Sequence, residues 1–195
     1  MTAKRTADCA LCKNHPCSSD GSLAPGAPKE PARPTQCPMI VSPEALEAVK
    51  ARYREPATHR LYLSAAQTEA RGYGEWPRVR EIAEFAKLNG FKRLGLAFCI
   101  GLASEAALVA EIFTGHGFEV HSACCSVGGM LKEEMGIPDA DKIVPGRDER
   151  SCNPIGQAAV LAERGTDLNV VIGLCVGHDT LFIQTSTAPV TCLVA

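Results

Sequence analysis

The sequence predicts an α/β fold: a parallel sheet of about four strands with flanking helices, preceded by a small irregular segment rich in cysteine. Two observations lead to this prediction. Short apolar runs alternate with helical patterns from Gly90 to the end of the chain. Each run is separated from the next by enough residues for a helical crossover, which is how parallel strands are connected. The first 41 residues, in contrast, are polar and show neither period.

The individual elements follow from these patterns and from the residues that begin and end helices. Ser42-Pro43-Glu44 has the signature of a helix start, and Asn89-Gly90 has that of a helix end. Strands are predicted at 92–98, 118–123, 169–174 and 190–195. Helices are predicted at 42–55, 58–70, 77–89, 104–114, 129–135, 153–164 and 178–184.

Composition excludes several classes of function. The net charge is −2 and 22% of the residues are charged, so no basic surface for nucleic acid or an anionic membrane is expected. The ten aromatic residues are scattered and form no base-stacking signature. The N-terminus has no apolar signal region, and no run reaches the roughly 18 apolar residues of a membrane span. We therefore expect a cytoplasmic protein whose thiols stay reduced.

Two domains are predicted from the change in composition. Residues 1–41 form a cysteine-rich metal-binding segment that includes a proline-rich loop at 18–36, and residues 42–195 form the α/β domain. The loop contains four prolines and few residues that could enter a core. It separates two thiols, so we interpret it as a loop that a bound metal closes.

Ten cysteines in a chain of this kind favour metal binding or redox chemistry over a disulfide scaffold. Four of them, Cys9, Cys12, Cys17 and Cys37, lie on irregular backbone and are predicted to hold one metal centre. Zn²⁺ and iron–sulfur clusters are the usual occupants of four-thiolate sites. A cysteine followed by proline, as in Cys37-Pro38, favours the cluster slightly. His15 is an alternative ligand.

Five further cysteines are predicted to lie at or near the carboxyl edge of the sheet, where open parallel sheets bind ligands. They are Cys99, Cys124, Cys125, Cys152 and Cys175. We expect them to bind a cofactor or a second metal centre; the alternative is that they are small core residues at strand ends. One member of the Cys124–Cys125 pair should face this edge, because side chains alternate along a strand. Cys192 is expected to be a packed core thiol.

Polar residues close to these cysteines are weaker candidates for acid–base or ligand roles. They are Glu105, Lys132, Asn153, His178 and Asp179. Helix capping is an equally good explanation for Asn153 and Asp179.

Several segments resemble a family of predicted metal-binding proteins from bacteria and archaea, a domain of unknown function with an N-terminal CxxCxxxxC motif. The segments are CALCKNHPC, AFCIGLASEA, CCSVGGMLKEEMGI, CNPIGQA and DLNVVIGLCVGHDTLF. The resemblance implies metal binding without a defined biochemical role.

Three functions therefore remain open. The first is an iron–sulfur protein that exchanges electrons with a redox partner. The second is a zinc-binding structural or interaction protein. The third is a thiol-dependent enzyme that uses a cysteine at the sheet edge as its nucleophile.

Overall fold

A computed structural model describes residues 9, 10, 12, 17 and 33–195. The chain divides into two compact units, residues 1–62 and residues 63–195. The domain boundary predicted between residues 41 and 42 stays a prediction. His15 and most of the proline-rich loop lie outside the described residues. No helix in the described part of the chain is long and apolar enough to cross a membrane.

The first unit is helical from Pro38 onwards, apart from short connections. It contains α1 (Pro38–Val41), α2 (Pro43–Arg52) and the first residues of α3 (Pro56–Gly72). Each of these helices begins with proline, which fits the first turn because its missing N–H would be unbonded there anyway. The rings of Tyr53 and Tyr62 pack edge to face with centroids 4.9 Å apart.

The second unit contains the α/β part of the chain. After the end of α3 it continues with α4 (Arg78–Asn89), β1 (Arg93–Phe98), α5 (Ala103–Gly115), β2 (Glu119–Cys124), α6 (Pro154–Glu163), β3 (Leu168–Ile172), α7 (His178–Thr185) and β4 (Val190–Val194). Gly90 ends α4 in the left-handed conformation, with φ of 72°, as predicted from the Asn-Gly pair.

The four strands form one parallel sheet in the order β2-β1-β3-β4. The central strand β1 pairs with β2 in a register that places Leu94 beside Val120, and with β3 so that Leu94 lies beside Leu168. Every residue of β3 is buried, as expected for a strand covered on both faces. The predicted fold class is confirmed.

Alternate residues of the strands supply two separate apolar layers. Leu94 and Leu96 of β1 pack in one layer with buried residues of α4 and α5. Ala97 of β1 and Val171 of β3 pack in the other with residues of α6 and α7. The period of two along each strand sends neighbouring side chains to opposite faces, so each pair of helices covers one face of the sheet.

One predicted helix is wrong. Residues 129–135 form turns, and Leu131 makes an isolated antiparallel bridge with Arg150. Gly128, Gly129 and Gly136 have positive φ angles, which an α-helix does not allow. The glycines therefore outweigh the helix-forming residues between them. The four-residue helix α1 was also not predicted, because it is too short to show a period.

Candidate thiol site

The carboxyl ends of three strands are joined by backbone hydrogen bonds that continue past the strands themselves. The Cys125 N–H donates to the Phe98 carbonyl at 2.8 Å, and the Cys99 N–H donates to the Ile172 carbonyl at 3.1 Å. The Asn153 N–H donates to the Cys125 carbonyl at 2.6 Å. Three cysteine-bearing segments are thereby fixed side by side at one edge of the sheet. We call this edge, with its cysteines Cys99, Cys124, Cys125, Cys152 and Cys175, the thiol edge.

Cys125 is the innermost cysteine of the thiol edge. Its side chain is 3% exposed and packs in the apolar layer beneath α6 and α7. The backbone N–H of Ile100 donates to its sulfur at 3.3 Å. Burial raises the pKa of Cys125 to about 12, and the neighbouring sulfurs of Cys152 and Cys124 contribute in the same direction. Cys125 is therefore a neutral thiol near pH 7 in the absence of a bound cation.

Cys152 packs against the apolar layer that contains Cys125, and the two thiols are close enough to affect each other's pKa. Burial raises the pKa of Cys152, the Cys125 thiol lowers it, and the nearby thiols of Cys175 and Cys99 raise it. These mutual effects mean that four cysteines lie close enough for the ionisation of one to disfavour that of another. The structure thus brings together Cys99, Cys125, Cys152 and Cys175 from four separate segments of the chain.

Cys124 differs from its neighbour. It is the last residue of β2 and its sulfur lies 3.5 Å from the Ser126 hydroxyl. Burial acts to raise the pKa of Cys124, but hydrogen bonds with Ser126 and Cys125 outweigh burial and lower it below the ordinary thiol value. One of Cys124 and Cys125 was expected to face the edge of the sheet. Of the two, Cys125 is the one whose pKa is affected by Cys152.

A segment that we call the lobe, residues 126–151, connects Cys125 to Cys152. Its base is closed by the Leu131–Arg150 bridge and by the Ser151 N–H, which donates to the Met130 carbonyl at 2.8 Å. Within it the Lys142 side chain is 3% exposed and forms ion pairs with Glu133 and Asp139. The lobe is thus held by polar contacts of its own.

Lys132 of the lobe is the cation that acts on the thiol edge. Its ammonium lies 2.6 Å from a Glu149 carboxylate oxygen, and both side chains are mostly buried, with 16% and 15% exposed. Its positive charge lowers the pKa of Cys152 and so opposes the effect of burial. The same ion pair lowers the pKa of Glu149.

Gln157 of α6 was not predicted to contribute to the site. Its wholly buried amide nitrogen donates to the Ala123 carbonyl at 2.8 Å and to the Phe98 carbonyl at 3.2 Å. It therefore links the ends of β1 and β2 just before the cysteines that follow each strand. A long polar side chain within the apolar sequence of α6 was a signal that could have revealed it.

The other polar candidates have structural partners. Asn153 caps α6 by accepting from the Gly156 N–H at 2.8 Å. Asp179 accepts from the Gly177 and Thr180 N–H groups at 2.9 and 2.7 Å. The backbone N–H of His178 donates to the Cys175 carbonyl, and Glu105 accepts from the Ser104 hydroxyl. Capping was the expected alternative for Asn153.

The cysteines of the first unit are described individually. The Cys12 N–H donates to the Cys9 carbonyl at 3.1 Å, so these two residues share a turn. Cys17 is exposed, and Cys37 precedes α1, where its carbonyl accepts from the Ile40 and Val41 N–H groups. The prediction that these four residues hold one metal centre stays a prediction.

The expectation for Cys192 is wrong. It was predicted to be a packed core thiol because its strand reads as a continuous apolar run, but it is exposed. The strand β4 lies at the edge of the sheet, where one side has no neighbouring strand. An apolar run at a sheet edge does not have to be buried on both faces.

Fold and site define an α/β protein with a cysteine-lined edge, and comparison with known proteins places it in a family. The chain belongs to the family described as protein of unknown function DUF1847, whose model matches residues 37–193. It is also similar to the uncharacterized protein MJ0455 of Methanocaldococcus jannaschii, with 46% identity over 139 residues, 71% of this chain and 70% of the relative. The matched family region includes all five cysteines of the thiol edge and Cys37, whereas Cys9, Cys12 and Cys17 precede it.

Proposed function

We propose that this protein binds a metal centre through cysteine thiolates at the thiol edge, with an iron–sulfur cluster favoured over zinc. Cys99, Cys125, Cys152 and Cys175 would hold the centre. Such a centre would supply electron transfer, and a redox protein of the reducing cytoplasm would be the partner. The observation that supports the proposal is the convergence of thiols from four segments onto one end of the sheet.

The donor set fits a soft metal. Sulfur ligands select iron–sulfur clusters and zinc over hard cations such as Mg²⁺, because thiolate is polarisable. Burial raises the pKa values of Cys125 and Cys152, so a bound cation would provide the charge needed to ionise these two thiols. The Lys132 ammonium would partly offset the negative charge of a thiolate-ligated centre.

The thiols are gathered but are not in ligating positions. In the described part of the chain, no three His, Cys, Asp or Glu side chains are arranged to hold a metal ion. Metal binding at the thiol edge therefore requires side chains to move. Cys175 is exposed and lies between β3 and α7, where its side chain is not confined by packing.

The four cysteines of the first unit are a second proposed ligand set. Their support is the sequence spacing. Two residues separate Cys9 from Cys12, these two cysteines share a turn, and Cys37 precedes proline. The two sets can be separated by experiment because each can be removed without altering the other.

The test is metal analysis of protein purified anaerobically from cells supplied with iron and zinc. We expect a brown protein that contains iron and acid-labile sulfide. Replacing Cys99, Cys152 and Cys175 together with alanine should remove the thiol-edge metal, and replacing Cys9, Cys12, Cys17 and Cys37 should remove any metal of the first unit. Cys192→Ala is the matched control, since it removes an exposed cysteine that belongs to neither set.

Each result has a defined meaning. A colourless protein with one zinc per chain would show that the site binds zinc and not an iron–sulfur cluster. Metal lost only from the first-unit variant would contradict the thiol edge as the ligand set, and a metal-free wild-type protein would overturn metal binding altogether. Circular dichroism of each variant shows whether loss of metal reflects loss of folding.

A second candidate function is thiol–disulfide exchange, which corresponds to the thiol-dependent alternative. It is favoured by the proximity of Cys125 and Cys152, which share one apolar layer and affect each other's pKa. A small disulfide such as oxidised glutathione would accept two electrons and two protons from this pair, leaving one intramolecular disulfide and two molecules of reduced glutathione. Peptide mapping after incubation with oxidised glutathione should then find Cys125 linked to Cys152. A mixed disulfide on Cys175 alone would argue against this function.

A further inference from the structure

A groove whose lining includes none of the cysteines of the thiol edge lies in the second unit between α3, α4 and β4. Its volume is about 510 Å³, which is within the range of small-molecule sites. Ala65 of α3, together with Ile82 and Phe85 of α4, contributes its apolar lining. Tyr73, whose side chain is 80% exposed, stands in the turn after α3 and also borders the groove.

The turn that separates the two helices has a defined structure. A side chain on Gly72 would meet the Trp76 ring within 2.6 Å, so only glycine allows the helix end to lie against the indole. The Arg80 guanidinium stacks on the same ring, 4.6 Å from its centroid. These contacts hold the start of α4 against the end of α3, and the groove lies beside them.

The polar groups of the groove leave one uncompensated charge. The Arg78 guanidinium donates to the Thr191 hydroxyl at 3.0 Å and to the Cys192 carbonyl at 3.3 Å, and its remaining contact is an ion pair with Glu81 at 3.4 Å. The charges of Arg78 and Glu81 therefore offset each other. Glu69, exposed on α3, has no hydrogen bond or ion pair within the described residues. The remaining charge of the groove is one carboxylate.

We infer that this groove binds a small organic cation with an apolar body, such as an arylalkyl ammonium. The Glu69 carboxylate would attract the ammonium, and the apolar lining would bury the body of the ligand. Tyr73 and Phe85 add aromatic rings to the lining, and the faces of aromatic rings attract cations. An anionic ligand would meet Glu69 without a free cation to balance it, because Arg78 is already paired.

The inference is tested by binding of three probes of similar size to the full chain. Phenethylamine is the cation, phenethyl alcohol the neutral analogue and hydrocinnamate the anion. Amide chemical shifts from nuclear magnetic resonance report both affinity and location. We expect phenethylamine to bind with a Kd of about 1 mM, roughly tenfold tighter than either analogue, since the ion pair with Glu69 and the attraction of the aromatic rings for the cation each contribute up to about 1 kcal/mol. The shifts should map to Ala65, Thr68, Ile82 and Thr191.

Two variants and one control sharpen the test. Glu69→Gln should weaken phenethylamine binding about 3- to 10-fold and leave phenethyl alcohol unaffected. Ala65→Met should abolish binding of all three probes by filling the groove, and this helix position is exposed enough to accept methionine. Glu163→Gln removes an exposed carboxylate of α6 and should change nothing. Equal affinity for the three probes, shifts that map elsewhere, an unaffected Glu69→Gln variant, or no binding at all would each overturn the inference.

Discussion

The two groups of cysteines in this chain differ in what fixes them. The thiol edge is attached to the sheet: Cys99 and Cys125 each donate a backbone hydrogen bond to the end of a neighbouring strand, and Cys125 is buried. In the first unit, Cys9 and Cys17 are exposed, and the Cys9–Cys12 turn is local. Cysteine spacing in a sequence thus does not distinguish thiols that are positioned by a sheet from exposed thiols on irregular backbone.

The largest expected difference between the two groups is in reactivity. In reduced, metal-free protein at about pH 7.5, iodoacetamide should modify Cys9 and Cys17 about a thousandfold faster than Cys125. The rate follows the thiolate fraction, and the pKa of Cys125 is raised to about 12 by burial. Mass-spectrometric mapping over time measures each rate. Comparable rates would mean that the thiol edge opens as readily as the first unit.

The second prediction tests the link beneath the thiol edge. Gln157→Leu should destabilise the protein by about 2–4 kcal/mol, because the Phe98 and Ala123 carbonyls both lose a buried donor. Urea unfolding measures the change. Gln184→Leu on the exposed side of α7 is the control and should stay within about 0.5 kcal/mol of the wild type. If the two variants were equally stable, Gln157 would not hold the ends of β1 and β2 together.

The strands and the thiol edge could be predicted because both follow from local patterns. Alternation of apolar runs with helical patterns identifies a parallel sheet, and its strand ends must share one edge, so Cys99, Cys124, Cys125, Cys152 and Cys175 were expected near that edge. Which member of the Cys124–Cys125 pair lies near Cys152 could not be predicted. It depends on the Asn153–Cys125 hydrogen bond, which joins residues separated by the whole lobe.

The wrong expectations arise from context that local sequence does not contain. Residues 129–135 include good helix formers, but Lys132 pairs with Glu149 from the far side of the lobe and the flanking glycines have positive φ. Cys192 was assigned to a core because strand order was unknown, and β4 is an edge strand. The groove lined by Ala65 and Thr191 joins elements more than a hundred residues apart, so no sequence pattern indicates it.

The third prediction compares a partly buried ion pair with an exposed one. Lys132→Met should destabilise the protein more than loss of an exposed ion pair does, because Glu149 would be left with 15% exposure and without its cation. It should also raise the pKa of Cys152 further, since Lys132 lowers it. Lys50→Met breaks the Lys50–Glu47 pair of α2, whose side chains are 65% and 72% exposed. That change should cost less than about 0.5 kcal/mol. Urea unfolding and pH-dependent alkylation of Cys152 are the measurements, and equal effects of the two variants would show that burial of the Lys132 pair is immaterial.

The smallest expected effect concerns acid stability. Asp167 accepts the Lys92 and Arg93 N–H groups at 2.8 Å each. Burial acts to raise the pKa of Asp167, but these hydrogen bonds outweigh burial and lower it. The folded state therefore gains stability from the ionised form above the ordinary carboxyl pKa, and this gain is lost as the pH falls through the lower folded pKa. Unfolding at a series of pH values should show that the stability of Asp167→Asn falls less steeply with falling pH than that of the wild type. Asp148→Asn, at an exposed position of the lobe, should retain the wild-type dependence.

The lobe is joined to the sheet by two chain segments, those of Cys125 and Cys152, which we call the neck. Cys125 and Cys152 stand on either side of that neck, and the Asn153–Cys125 hydrogen bond and the Leu131–Arg150 bridge close it. Residues beyond the bridge can be shortened, lengthened or replaced without separating the two sulfurs, provided that the neck stays closed. The exposed residues of the lobe other than the Lys132–Glu149 pair can therefore change while the two cysteines stay at its base.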